Sequence, residues 1–283
     1  MKQLALTALL LSVTALWGWT FPVVKEAVTV YGVASFLAVR FAVASAALGT
    51  LTLGRINRRS LQTGGAIGVV LAGGYFLQTY GLLNTTATNC GLITGLFVLL
   101  GPLLNRLLFG VRVRPALWLA IAVSIVGLAL LTGTGPVPFS FGDGLTLGAT
   151  FCYGLHIALL DRFAKGHDPM ALALGQTFTA TLIFVAAWPL TDSIAWPTRD
   201  VWFVIVITAV FATAAAYSIQ TYVQQRLSAV RTAVILTTEP LFAAMFGYLL
   251  AGDRLTAVQL LGAALMLGAV AAAEIVPAAK ARA

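Results

Sequence analysis

The chain has 283 residues, of which 60% are hydrophobic and 9% charged, with a formal net charge of +8 at pH 7 and a mean hydropathy of +0.96. Soluble domains carry roughly 25% charged residues, so a soluble fold is excluded: a chain of this length has no interior large enough for the apolar surface, whereas a bilayer solvates it from outside. The 17 Lys and Arg residues sit in short stretches between apolar runs rather than on one basic segment, which points to a lipid bilayer and not to nucleic acid.

A helix needs ~20 apolar residues to cross the hydrocarbon. Runs of that kind lie at 4–22, 31–53, 65–83, 90–109, 115–133, 142–160, 170–190, 200–222, 229–250 and 256–276. The opening Met1-Lys2 and its apolar run mimic a signal peptide, but nine further runs follow, so it is read as a retained first span. Turn and charge residues punctuate the breaks: Arg55 to Arg59, the stretch with Arg112 and Arg114 ending at Pro115, Gly133 to Pro138, Asp192 to Pro197, and Gly252-Asp253-Arg254. The runs are too long and too uniformly apolar for the alternation of a β-barrel. The expected fold is therefore an all-α integral membrane protein of ten transmembrane helices.

Basic residues orient it. With the N-terminus in the cytoplasm, Lys2, Arg55, Arg58, Arg59, Arg106, Arg112, Arg114, Arg162, Lys165, Arg226, Arg231, Lys280 and Arg282 are cytoplasmic, 13 in all; Lys25, Arg199 and Arg254 are on the other side, and Arg40 lies within a span. The bias predicts both termini in the cytoplasm of a multi-pass inner-membrane protein.

The chain also repeats itself. Tyr75-Phe76-Leu77-Gln78-Thr79-Tyr80 matches Tyr217-Ser218-Ile219-Gln220-Thr221-Tyr222 at an offset of 142, which also takes Gly110 to Gly252 and Arg112 to Arg254. Earlier, an offset of 136 takes Trp17-Gly18 to Tyr153-Gly154 and Arg40 to Gln176. Two five-helix units, 1–136 and 137–283, follow from this. Because five is odd, the second enters from the opposite side, a 5+5 inverted repeat of the kind that builds a midplane substrate site in transporters.

Polar groups in hydrocarbon need a reason. Tyr75, Gln78, Thr79 and Leu82 share one face of the third span, and Tyr217, Gln220, Thr221 and Gln224 share one face of the eighth. They either face each other across a substrate cavity, Gln supplying donor and acceptor, or act as interhelical glue. Trp17, Phe21, Phe97 and Tyr153 suit an apolar pocket, with Trp17 alternatively an interfacial anchor at the end of the first span; Trp118, Trp188, Trp196 and Trp202 read as belt residues. Arg40 is deep for a charge and needs a partner, for which Glu239 is the acidic candidate. The readings are a substrate carboxylate site at Arg40 and a proton site at Glu239, against a plain helix break at Glu239-Pro240. His156, four residues after Cys152, is expected to line the cavity or pack, since two ligands make no closed metal site; Cys90 and Cys152 form no disulfide framework. Gly91 and Gly95 permit close helix approach.

Together Trp17-Gly18, Arg40, Thr85-Thr86-Ala87-Thr88-Asn89 leading into Gly91-Leu92-Ile93-Thr94-Gly95-Leu96, Gly142-Asp143 and Thr238-Glu239-Pro240 resemble the drug/metabolite transporter superfamily, specifically its ten-helix EamA-type members, and within it YddG-type amino-acid exporters. One departure is that Pro102 does not align with Pro240, where the offset places Val98. The resemblance implies a cavity lined largely by spans 1, 3, 4, 6, 8 and 9, with Thr94 and Thr238 beside it and helix breaks at Pro102 and Pro240. It also implies export of amino acids or similar small molecules, aromatic ones included, by alternating access. A passive channel for small polar solutes is the alternative. An intramembrane enzyme is disfavoured because neither G-x-S-x-G nor H-E-x-x-H is present. No catalytic residue, cofactor or metal is expected, and the oligomer is monomer or homodimer.

Overall fold

The computed structural model describes residues 2–54, 56–110, 139–227 and 238–275, with isolated positions between 115 and 130 and between 232 and 236. Expectations for Arg55, Arg112, Arg114, Trp118, residues 133–138, Arg231, Lys280 and Arg282, and for the chain ends, lie outside those residues. Among the described residues every regular element is helical: α1 (Lys2–Tyr31), α2 (Val33–Leu51), α3 (Arg58–Leu83), α4 (Ala87–Thr94), α5 (Phe97–Phe109), α6 (Phe141–Phe163), α7 (Pro169–Thr191), α8 (Arg199–Ala209), a π-helical turn (Val210–Ala215), α9 (Ala216–Gln224), α10 (Thr238–Leu250) and α11 (Ala257–Ile275). Seven segments are long and apolar enough to cross a bilayer: α1 from Leu4, α2, α3, α4 with α5, α6, α7, and α8 through α9. Their outer faces expose Leu182, Val185, Phe203 and Val206, while Arg40, Thr79, His156, Gln176 and Gln220 are buried. That inversion suits lipid as the outer solvent.

Local signals explain the helix starts. Asn57 accepts from Ser60 N, Thr86 from Asn89 N, and Thr198 from Val201 N, each satisfying an orphan amide of the first turn. Ser140 and Asp143 form a reciprocal capping box. Asp168 caps α7, with Pro169 at the first helical position, where no amide is missed. Two carboxylates cap from across the molecule: Asp192 accepts from Ser35 N at 2.9 Å and Asp253 from Thr88 N at 2.8 Å.

Contacts fix the helix directions. Thr85–Asp143 and Gln78–Tyr153 hydrogen bonds run α3 and α6 antiparallel. Thr150 Oγ1 donates to Ile93 O, Asn105 to Asp161, and Phe109 meets Phe163, so α4, α5 and α6 run in parallel. Phe109 and Phe141 therefore lie toward opposite ends of the bundle, and the described positions between 115 and 130 are helical.

Three details differ from expectation. α1 continues to Tyr31, nine residues past the expected end, with Pro22 inside it and Lys25 Nζ turned inward to donate to Thr85 O. Trp17 is thus mid-helix and not an interfacial anchor. The fourth span is interrupted at Gly95-Leu96, whereas Pro102 lies inside α5, so the break precedes the proline. It sits where α10 presses closest: a Cβ on Gly95 would fall 2.1 Å from Pro240 Cγ, and one on Gly91 2.2 Å from Ala243 Cβ. Pro240 lies within α10, and Ile235 and Leu236 upstream of it are helical as well.

Candidate functional site

Seven spans converge on a central cavity, with about 50 Å³ of space open to a water-sized molecule. α1 supplies Trp17, Thr20, Phe21 and Val24; α2 supplies Arg40; α3 supplies Tyr75, Gln78, Thr79 and Leu82. Thr94 and Phe97 border it from either side of the Gly95-Leu96 break, Tyr153, His156 and Ile157 come from α6, Tyr217 and Gln220 from α9, and Glu239 from α10. The structure thus brings together eleven of the thirteen cavity candidates, plus both intramembrane charges. It adds the second span to the set implied by the resemblance.

Two candidates fall elsewhere. Thr221 is fully buried, does not border the cavity, and has no partner for Oγ1 among the described residues. Thr238 lies 2.8 Å from Thr14 Oγ1 and donates to Ile235 O, joining α10 to α1 instead of facing the cavity.

One wall is fully bonded. Gln78 Nε2 donates to Thr94 Oγ1 at 2.9 Å, and Gln78 Oε1 accepts from Tyr153 OH at 2.9 Å. Tyr217 OH donates to Tyr75 OH at 3.0 Å. Tyr75 packs edge-on against Phe41, Tyr153 and Tyr217 at 4.8, 5.8 and 6.3 Å. Phe97 closes this group beside Tyr153. His156 Nε2 is held by Gln176 Oε1 at 2.6 Å.

The charged wall is not. Arg40 is 3% exposed; its Nε donates to Thr213 Oγ1 at 2.9 Å, and the guanidinium lies 5.1 Å from the Tyr75 ring centroid. A charge at the bilayer centre costs roughly 2.5–3.5 kcal/mol. The hydrogen bond and the ring face offset part of that. No hydrogen bond or ion pair joins Arg40 to the candidate acid Glu239; Thr213 is its hydrogen-bond partner instead. Glu239 Oε2 and Gln220 Oε1 are buried without any partner among the described residues. Thr213 carried no signal in the sequence. It belongs to the π turn, donating to Thr208 O five residues back, and the same turn lends Ala212 O to Trp17 Nε1 at 2.9 Å. Single π turns recur at functional sites.

Residues related by the sequence offsets also meet or repeat each other's contacts. Tyr75 and Tyr217 are 142 apart and bonded; Ser45 and Thr181 are 136 apart, with hydroxyls 3.2 Å from each other. Trp17 packs against Tyr217 with ring centroids 5.6 Å apart, as Tyr153 packs against Tyr75 at 5.8 Å. A Cβ on Gly18 would fall 2.5 Å from Phe242 Cβ and 2.7 Å from Ala243 N; on Gly154 it would fall 2.6 Å from Leu100 Cβ and 3.3 Å from Gly101 N. Each pair maps onto the other under the same two offsets.

The model of the EamA-like transporter family matches residues 5–133 and 140–273. An uncharacterized transporter of Archaeoglobus fulgidus is 32% identical over 258 residues, 91% of this chain and 82% of that protein. The threonine/homoserine exporter RhtA of Escherichia coli K12 is 32% identical over 183 residues, 62% of this chain and 58% of the exporter. A crystal structure superposes with a TM-score of 0.72 at 18% identity, covering 96% of both chains, which bears on the fold.

Proposed function

We infer that this chain, which belongs to the EamA-like transporter family and is a multi-pass membrane transporter, carries small metabolites of the amino-acid class through its central cavity by alternating access. The observation that carries this is the cavity itself. Aromatic rings, a bonded glutamine, an arginine held by a hydroxyl and a ring, and a glutamate oxygen with no partner among the described residues surround a single space deep in the bundle. Polar groups kept at that depth without protein partners suit a solute that supplies them transiently.

Division into two oppositely inserted units, 1–136 and 137–283, fits the same picture. The family model matches 5–133 and 140–273 separately. The self-paired Tyr75–Tyr217 and Ser45–Thr181 contacts are what a pseudo-twofold axis through the cavity would produce. Two equivalent units that rock about one site can open to either face. The basic-residue bias favours both termini in the cytoplasm of the inner membrane, and the RhtA relatives favour export and a role without catalysis.

The test is uptake by the purified chain in liposomes across the proteinogenic amino acids, followed by counterflow. Saturable uptake of a labelled amino acid, accelerated by the unlabelled one inside, is the expected result. Non-saturating flux without counterflow would identify a pore.

A further inference from the structure

We propose that the cavity recognises its substrate by two opposite charges, Arg40 taking a carboxylate and Glu239, with Gln220, taking an ammonium group. This rests on the carrier reading and adds to it the residues that select the substrate.

The donors come first. Arg40 has five N–H donors in a rigid fork suited to a carboxylate. Among the described residues only Nε has a protein hydrogen bond, to Thr213. That bond and the Tyr75 ring hold the guanidinium from one side and from its edge, and the side chain borders the cavity. An ordinary structural arginine at this depth would be matched by an acid, and among the described residues no ion pair reaches this one.

The acceptors lie on other helices. Glu239 is 4% exposed and Gln220 2%; each has a side-chain oxygen with no partner, and both border the same cavity as Arg40. A buried acceptor left unmade costs about 1–3 kcal/mol, and an ammonium group has three hydrogens to give. The site thus asks for an acceptor at one place and a donor at another. A dicarboxylate would leave Glu239 facing like charge, and a simple amine would leave Arg40 unmet.

The repeat sharpens this. The position equivalent to Arg40 is Gln176, which is bonded to His156. The charge therefore belongs to one half only, and a polar substrate would bind in one orientation. Trp17, Phe21 and Phe97 remain for its apolar part.

The experiment uses the full chain in liposomes. Each labelled proteinogenic amino acid is screened alongside sugars, dicarboxylates and simple amines. The best amino acid is then challenged with its methyl ester, its N-acetyl derivative and its decarboxylated amine. We expect each derivative to inhibit at least about tenfold more weakly than the parent, as sites built to bond a group reject analogues lacking it. Arg40→Gln is expected to close the gap between parent and ester, and Glu239→Gln the gap between parent and N-acetyl derivative. These ratios are read within one preparation, so they do not depend on the folded fraction. If a variant fails to fold, the wild-type inhibition series decides alone. Derivatives that inhibit as well as the parent, or gaps unchanged in the variants, would overturn the proposal. Saturable counterflow of only sugars, dicarboxylates or simple amines would overturn it while leaving a carrier. No counterflow of any solute would remove the carrier reading, and this proposal with it.

Discussion

The third and eighth spans carry the same stripe, Tyr-x-x-Gln-Thr-Tyr, at an offset of 142, yet the structure uses them differently. In α3 the helix is continuous from Arg58 to Leu83, Gln78 is bonded at both ends of its amide, and all four residues of the Tyr75–Leu82 face border the cavity. In the eighth span a π turn precedes the stripe, only Tyr217 and Gln220 reach the cavity, and Gln220 Oε1, Thr221 Oγ1 and Gln224 Oε1 have no partner. Identical residues make a bonded wall on one side and a receptive wall on the other. What separates the two is the neighbourhood: α3 faces Thr94 and Tyr153, which complete its hydrogen bonds, whereas the π turn spends its polar groups on Arg40 and Trp17.

That contrast can be broken by paired substitutions. The largest expected effect is on stability in Gln78→Ala, which strands Tyr153 OH and Thr94 Oγ1 and should cost ~1–3 kcal/mol, read as a drop in detergent unfolding temperature. Gln220→Ala should leave that temperature nearly unchanged while raising KM for uptake about tenfold, equivalent to ~1.4 kcal/mol. Equal stability losses in the two variants would erase the distinction between the walls, and wild-type transport in both would remove the stripes from the substrate path. Next in size, Tyr75→Phe and Tyr217→Phe should each cost ~1 kcal/mol. The double variant should cost no more than either single one, since both remove the same bond.

Thr213→Val should lower transport severalfold with a stability change of ~1 kcal/mol, because it releases Arg40 Nε and the bond to Thr208 together. The smallest effect concerns the α6–α7 turn. The 136 offset pairs His167 with Tyr31, which has no charge change near neutrality. Partial burial, and then the positive charge of Arg59, lower the His167 pKa below its ordinary 6.5. The folded chain therefore resists a proton that the unfolded chain accepts. Its contribution is present above about pH 6.5 and declines as pH falls below that value. His167→Gln should slightly flatten the acid limb of a thermal-stability profile; an unchanged limb would show that this histidine does not couple to folding.

Much of this was legible in the residues. Among the described residues hydropathy located the span ends to within about three positions, except that α1 runs nine residues past its expected end and α3 begins seven residues before its expected start; a bilayer-embedded helix tolerates a proline such as Pro22 when neighbouring groups satisfy the freed carbonyl. Helical periodicity found the Tyr75 and Gln78 face, and polarity at depth found Arg40 and Glu239. It could not find Thr213, since a π turn shifts which residues face inward and Ala-Thr-Ala-Ala carries no mark of one. It offered Glu239 as a candidate partner for Arg40, because charge suggests an acid, whereas packing supplied a hydroxyl and a ring. Pro102 likewise suggested a break that the structure places at Gly95-Leu96, where close approach to α10, not the proline, governs the backbone.

The central claim is a cavity that opens alternately to the two faces, and access at Thr20 tests it most directly. In a Cys90→Ala, Cys152→Ala background, Thr20→Cys in liposomes would be treated with a membrane-impermeant thiol reagent from either side. The account predicts modification from both faces, at rates that an imposed amino-acid gradient shifts in opposite directions. Modification from one face under every gradient, or from both at rates that no solute alters, would contradict it.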